Sequence, residues 1–312
     1  MNTKIVVLDG QALSAGDLTW DTLQSLGDVQ IFERTAEADV VSRAAGASII
    51  LTNKTPLRAS TIEALPDLRF IAVLATGYDI IDLKAAGARG IPVSNVPTYG
   101  TNSVAQFAFA LLLELCHRVQ RHSDDVQVGG WVDRKVWSYH LTPLIELNGK
   151  TMGLIGYGRI GRQTAEIAKA FGMTVIASDP GHDQSVSIAE VLRNSDVVSL
   201  HCPLTPETKG LINASTLALM KPSAFLLNTS RGPLIDEQAL ATALREKVIA
   251  GAALDVLPVE PPVHPSPLMS APNCIVTPHI AWATKEARSR LMSTAIDNVK
   301  AFLSGHPENL VT

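Results

Sequence analysis

Three ionisable side chains stand just past short apolar runs in the second half of the chain. Arg231 follows Ala224–Asn228 in Asn-Thr-Ser-Arg-Gly, Glu260 follows Ala250–Leu254 in Asp-Val-Leu-Pro-Val-Glu-Pro-Pro, and His279 follows Cys274–Thr277 in Thr-Pro-His-Ile-Ala-Trp. If those runs are strands, all three residues lie at strand exits, where open α/β sheets bind ligands. Singly, each has a plain alternative: a helix-capping arginine, a solvated loop carboxylate, a satisfied core histidine. Together they suit one reaction. Taking hydride from a 2-hydroxy acid needs a base for the hydroxyl proton, a cation for the carboxylate and a partner that stabilises the charged base. An imidazole, a planar guanidinium fork and a second carboxylate supply these in turn.

A second constellation could hold the hydride carrier. Gly156-Tyr-Gly158-Arg-Ile-Gly161 follows the apolar run Thr151–Ile155 and precedes a helix-forming run from Gln163 to Phe171. In that order the first glycine makes a tight turn, the second admits a pyrophosphate to the backbone, and the third lets helix pack on strand. The next apolar run, Met173–Ala177, ends at Ser178-Asp179, about 20 residues past the glycines, where a carboxylate can accept hydrogen bonds from an adenosine ribose. Asp179 could instead cap a turn before Pro180. An acid there also repels a 2′-phosphate, so NAD is expected rather than NADP.

These residues need strands and helices to place them. Apolar runs at Lys4–Asp9, Val29–Glu33, Ser48–Thr52, Phe70–Leu74 and Ile91–Ser94 alternate with amphipathic stretches such as Ala36–Ala45 and Leu83–Arg89. A second series adds Asp196–Leu200 to the runs already named. Continuous apolar runs alternating with helices predict parallel strands buried on both faces. Between the series a helix is expected over 102–119, followed by a polar and aromatic connection through Trp131, Trp137 and Tyr139; a last helix is expected over 285–303. That lone helix needs an apolar surface, and the first unit is a plausible host. The expected class is therefore α/β with two Rossmann-like domains, residues 1–100 with 286–312 and residues 101–285.

Composition narrows the function classes. The 312 residues carry a formal charge of −4 with no basic stripe for a nucleic-acid backbone. Three scattered cysteines suit a reducing compartment, the cytoplasm, and neither a disulfide framework nor a metal site. Neither H-E-x-x-H nor G-x-S-x-G occurs, so the expected site is not that of a metalloprotease or serine hydrolase, and no metal is expected. The start of the chain reads as a polar beginning plus a strand, not a signal peptide. Ala105–Cys116 is too short to span a bilayer and contains Glu114, so no membrane partner is expected. Solvent exposure is the expectation for His117, His122, His182, His264 and His306, while His201 is expected to line the cofactor groove.

The order of these motifs, with His-Cys-Pro-Leu-Thr-Pro-Glu-Thr from His201 and Leu-Asp-Val from Leu254, resembles the D-isomer-specific 2-hydroxyacid dehydrogenase family over nearly the whole chain. Leu74–Asp79, Asn95–Gly100 and His279–Thr284 are similar to its glycerate dehydrogenase or hydroxypyruvate/glyoxylate reductase branch. The resemblance implies a flavodoxin-like substrate domain made from both chain ends and an inserted NAD-binding Rossmann domain. It makes Arg231, Glu260 and His279 the active-site residues. Arg159 and Ile160 would meet the pyrophosphate and Asp179 the ribose. Cys202, Thr229, Ser230 and Asp255 would line the groove toward the nicotinamide, and Ala75-Thr76-Gly77 would offer N–H groups to the substrate carboxylate. Gln106 in place of a common Glu, and Ala281-Trp282 in place of a common Gly-Ser, depart from the family pattern. A homodimer is expected from the nearly all-apolar helix 105–116, with burial inside the monomer as the alternative. A small pocket is expected from Trp282, with Trp137 and Tyr139 near the cleft, and Asn53, Lys54 and Thr76 could bond a C3 hydroxyl or only orient the carboxylate. Two other readings of the scaffold are an NAD(H)-sensing binding protein and a formate- or phosphite-type dehydrogenase.

Overall fold

The computed structural model describes residues 3–14 and 16–312; the reading of Met1 and Asn2 as part of a polar start lies outside the described residues. The chain divides into two compact units, residues 1–100 with 283–312, and residues 101–282. The second crossing thus falls a few residues ahead of the expected 285/286. Thr284 already belongs to the closing helix, its hydroxyl accepting from the Ala287 N–H, and Arg288 Nε donates to the carbonyl of Ala283.

The first unit is a parallel sheet of β1 (Lys4–Val7), β2 (Asp28–Ile31), β3 (Ile49–Thr52), β4 (Phe70–Val73) and β5 (Val93–Ser94). Its order, β2-β1-β3-β4-β5, is the flavodoxin-like one. Every residue of β3 and β4 is buried, which explains why they read as unbroken apolar runs. The helix Lys285–Leu303 returns to this unit and buries Ala287, Leu291, Ala295 and Val299, a helical stripe. Phe302 near its end stacks on Phe70 of β4, ring centroids 4.5 Å apart.

The second unit is a parallel sheet of β6 (Thr151–Ile155), β7 (Thr174–Ser178), β8 (Val197–Leu200), β9 (Phe225–Asn228), β10 (Gly251–Leu254) and β11 (Cys274–Val276). The order is β11-β10-β9-β8-β6-β7, so the winding reverses between β6 and β8. A crevice at that reversal is where doubly wound sheets take their ligand.

The helix Thr101–His117 stops short of 119 because Arg118 turns left-handed at φ 47°. Within the expected polar and aromatic connection two more helices form, Val119–Gln127 and Gly130–Arg134. Polar staples hold them. His122 Nε2 accepts from Leu141 N–H while Nδ1 meets the Arg118 carbonyl, and Asp125 receives both Arg134 and the Tyr139 hydroxyl. A run as polar as Val-Gln-Arg-His-Ser-Asp-Asp has no apolar stripe to announce a helix.

One side of the helix 101–117 is covered: Phe109, Leu112, Leu115 and Cys116 pack with Met152, Leu154, Leu227 and Ala253 in one core cluster. Its other side is open: Asn102, Gln106 and Ala110 are exposed, and the groove beside them is lined by Leu113, Ile167 and Phe171 of the same unit. Further uncovered apolar side chains lie just beyond the helix.

Candidate active site

β9, β10 and β11 are neighbours and parallel, so Arg231, Glu260 and His279 follow adjacent strands at the same end of one sheet. Gly232 shows how tightly two of those exits meet. A Cβ there would lie 2.0 Å from the Leu257 carbonyl carbon, so only glycine lets the Arg231 turn sit on the backbone leading to Glu260. The Leu257 N–H donates to Glu260 Oε1 at 2.9 Å, and Glu260 Oε2 lies 2.5 Å from His279 Nδ1. The imidazole is thereby oriented by a carboxylate, which leaves Nε2 as the nitrogen able to move a proton. Arg231 is exposed and donates to the carbonyl of Ser230 at 2.8 Å.

His279 sits at φ 57°, a left-handed conformation that costs a histidine on the order of 1 kcal/mol and persists only where its surroundings dictate it. Asp255 dictates it here. From the exit of β10 its Oδ1 accepts from the Thr277 hydroxyl at 2.6 Å and the Ile280 N–H at 2.9 Å, and its Oδ2 from the Ala281 N–H at 2.7 Å. Burial pushes the Asp255 carboxyl above the usual range although these donors pull it down. Both its oxygens accept from this loop, a role that stands beside its expected place in the nicotinamide groove.

The glycine loop occupies the switch point. Gly156 is left-handed at φ 98°, and a Cβ on it would meet the Cys202 nitrogen at 2.5 Å; one on Gly161 would meet the Gly156 carbonyl oxygen at 2.3 Å. Packing alone requires both. Gly158 is different, for a Cβ there would meet nothing within 4 Å. Open space above the start of the helix Arg159–Ala170, which begins earlier than the expected Gln163, is what a pyrophosphate needs.

Asp179, at the exit of β7, accepts from Tyr157 N–H at 2.6 Å and Gly181 N–H at 2.8 Å. It is thus a turn cap and also a tie to the glycine loop, and these N–H groups hold its carboxyl below the usual range. Ser230 Oγ donates to the Leu200 carbonyl at 2.7 Å, fastening the exit of β9 to that of β8. The Thr229 hydroxyl and His201 Nδ1 are buried with no partner among the described residues, although His201 Nε2 lies 2.9 Å from Ser199 Oγ. Orphaned polar atoms beside an open glycine suit a polar ligand of dinucleotide kind. Cys202 is half-buried, its thiol pushed up by burial.

In the first unit, the turn Ala75-Thr76-Gly77 follows β4. The carbonyls of Leu74, Ala75 and Thr76 are taken, by Asn53 Nδ2, Val96 N–H and Asn95 Nδ2 in turn. The N–H groups of Ala75, Thr76 and Gly77 donate to no acceptor among the described residues. The turn therefore offers a set of donors, with two of its three carbonyls already engaged. The Thr76 hydroxyl gives its one hydrogen to the Val96 carbonyl at 2.7 Å, whereas Asn53 Nδ2 gives one of its two N–H groups to the Leu74 carbonyl. Of the rings expected near a pocket, Trp137 is 91% exposed and Tyr139 donates its hydroxyl to Asp125. Trp282 is half-buried.

Residues 109–281 match the model of the D-isomer specific 2-hydroxyacid dehydrogenase NAD binding domain. A hydroxypyruvate reductase from Blautia hydrogenotrophica is 50% identical over 99% of each chain. A glycerate dehydrogenase from Methylorubrum extorquens is 42% identical over 100% of this chain and 99% of that one. Among solved structures, an NADPH-dependent glyoxylate/hydroxypyruvate reductase from Sinorhizobium meliloti, complexed with NADP and malonate, superposes with a TM-score of 0.84 at 31% identity over 100% of this chain and 97% of that one. The chain belongs to the D-isomer-specific 2-hydroxyacid dehydrogenases and is an oxidoreductase acting on CH–OH groups, with a nicotinamide cofactor. Among the described residues no helix is long and apolar enough to cross a membrane.

Proposed function

We propose that the protein reduces small 2-keto acids, hydroxypyruvate and glyoxylate foremost, to D-glycerate and glycolate. The observation that carries this reading is the His279 imidazole fixed by Glu260 at the exit of β11, beside the exit that bears Arg231. Bound NADH supplies the hydride that adds to C2. His279 Nε2 gives the carbonyl oxygen its proton, and Glu260 stabilises the imidazolium that precedes that transfer. Arg231 pairs with the substrate carboxylate. In the first unit, the N–H groups of Ala75, Thr76 and Gly77, which bond no acceptor among the described residues, are donors of the kind a carboxylate takes. Arg159, Ile160 and the glycines hold the pyrophosphate; Cys202, Thr229, Ser230 and Asp255 border the cofactor toward its nicotinamide. The reverse reaction uses the same groups, with His279 as base.

Asp179 favours NADH over NADPH, since a carboxylate beside the ribose accepts its hydroxyls and repels a 2′-phosphate. The names of the relatives support hydroxypyruvate and glyoxylate as substrates, and half-buried Trp282 supports a small pocket. The free thiols Cys116, Cys202 and Cys274 suit the reducing cytoplasm. A panel of hydroxypyruvate, glyoxylate, pyruvate and phenylpyruvate, each with NADH and NADPH and compared by kcat/KM, tests the reading. Hydroxypyruvate and glyoxylate with NADH should lead. Phenylpyruvate leading would overturn the small pocket, and equal use of both cofactors would overturn the role of Asp179.

A further inference from the structure

Asp9, at the exit of β1, is 8% exposed, and its carboxylate is ringed by neutral donors. Oδ1 accepts from the Asn53 N–H at 2.7 Å; Oδ2 accepts from the N–H groups of Lys54 at 2.5 Å and Thr55 at 2.8 Å and from the Thr55 hydroxyl at 3.2 Å. A buried carboxylate is costly unless such donors surround it, and a parallel sheet does not need one to close. Its effect is to hold the loop 53–55 in one conformation. Asn53 then reaches from that loop to the Leu74 carbonyl at 2.8 Å, the last carbonyl before the turn 75–77.

The other end of the turn is framed separately. Asn95 Nδ2 holds the Thr76 carbonyl at 2.7 Å, and Asn95 is itself held by Asn298 Nδ2 on its carbonyl at 2.9 Å. The carbonyls of Leu74, Ala75 and Thr76 are thus fixed, while the N–H groups of the turn bond no acceptor among the described residues.

The second unit contains the same device. Leu8-Asp9 leaves β1 as Leu254-Asp255 leaves β10, and each aspartate collects N–H groups from the exit loop of the neighbouring strand, β3 in one case and β11 in the other. Asp255 thereby fixes the loop carrying His279. We propose that Asp9 is its counterpart, a positioning residue that acts through Asn53 to orient the donors of the turn 75–77 toward the substrate carboxylate. This rests on the reading of that turn as a carboxylate receiver.

The test compares Asp9→Asn, Asn53→Ala, their double variant and Asn95→Ala, each as the full-length protein. KM and kcat are measured for glyoxylate, with the NADH dissociation constant and thermal midpoint alongside. Asp9→Asn and Asn53→Ala should each raise KM about tenfold or more, with kcat changed less and NADH binding unchanged, because sub-ångström misplacement of donors weakens substrate capture. The double variant should be no worse than the poorer single one, since both act along one path. A lowered thermal midpoint with unchanged KM in both single variants, or fully additive effects, would overturn the inference; Asn53→Ala carries this test even if Asp9→Asn does not fold. A KM raised by Asn95→Ala alone would overturn the role of Asp9 and leave the turn as receiver. No change of KM in any of the variants would overturn the reading of the turn itself.

Discussion

At the scale of single residues, the histidines divide by what their ring nitrogens meet. His279 has one nitrogen on Glu260, an arrangement for moving protons. His201, on the exit of β8 beneath the glycine loop, has Nδ1 buried without a partner, and burial pushes its imidazole down to about 4 from an ordinary 6.5. The sign of the consequence follows from linkage. The unfolded chain takes up a proton near 6.5 that the native protein refuses until about 4, so native stability is full above the first value and falls between the two. Denaturation midpoints measured across that range should decline in the unmodified protein, and His201→Gln should flatten the decline. Equal slopes would mean that another group controls acid stability.

Arg231, Glu260 and His279 are legible in the sequence because three ionisable residues at three successive strand exits form a pattern. Asp9 is not, because one aspartate after one strand is the commonest of turn residues. Only the repeated Leu-Asp at Leu254-Asp255 hints at it. Asn53 and Thr76 show a different limit. Their polarity is plain in the sequence, but that they donate to the Leu74 and Val96 carbonyls is a matter of geometry.

At the scale of elements, the central strands β3, β4, β8, β9 and β10 are readable because burial on both faces leaves an unbroken apolar run, and the terminal helix because its buried stripe recurs at helical spacing. The helices Val119–Gln127 and Gly130–Arg134 were not readable, since His122 and Asp125 hold them by polar contacts scattered along 118–141. The glycine loop shows the gain from structure most directly, because one motif separates into two packing requirements and one opening. Gly161→Ala would drive a methyl into the Gly156 carbonyl and should lower stability by on the order of 1–3 kcal/mol. Gly158→Ala meets no protein atom, so the thermal midpoint should hold while NADH affinity falls about tenfold or more as the methyl fills pyrophosphate space. Thermal melts paired with NADH fluorescence titrations distinguish them. Unchanged NADH affinity in Gly158→Ala would contradict this use of the loop.

At the scale of the whole molecule, the apolar surface left uncovered bears on assembly. Val128, Val132 and Trp137 are 81%, 78% and 91% exposed within one short stretch following the core helix. Clustered exposed apolar side chains mark an interaction surface, and self-association by a two-fold axis is the commonest solution. The expected homodimer therefore has a candidate surface at residues 128–137 as well as on the open side of the helix 105–116. Sedimentation velocity at micromolar concentration should give a dimer that Trp137→Glu weakens; a monomer in the unmodified protein would contradict it.

The account stands or falls with the proton relay that turns a nicotinamide-binding fold into a 2-keto acid reductase. The most direct measurement is kcat/KM for hydroxypyruvate in His279→Ala and Glu260→Gln, with NADH affinity measured on the same samples. Loss of the proton donor should lower kcat/KM about 10²–10⁴-fold in His279→Ala, with a smaller loss in Glu260→Gln and NADH affinity unchanged in both. A near-native kcat/KM in His279→Ala would show that the proton comes from elsewhere and that this site is not the one described.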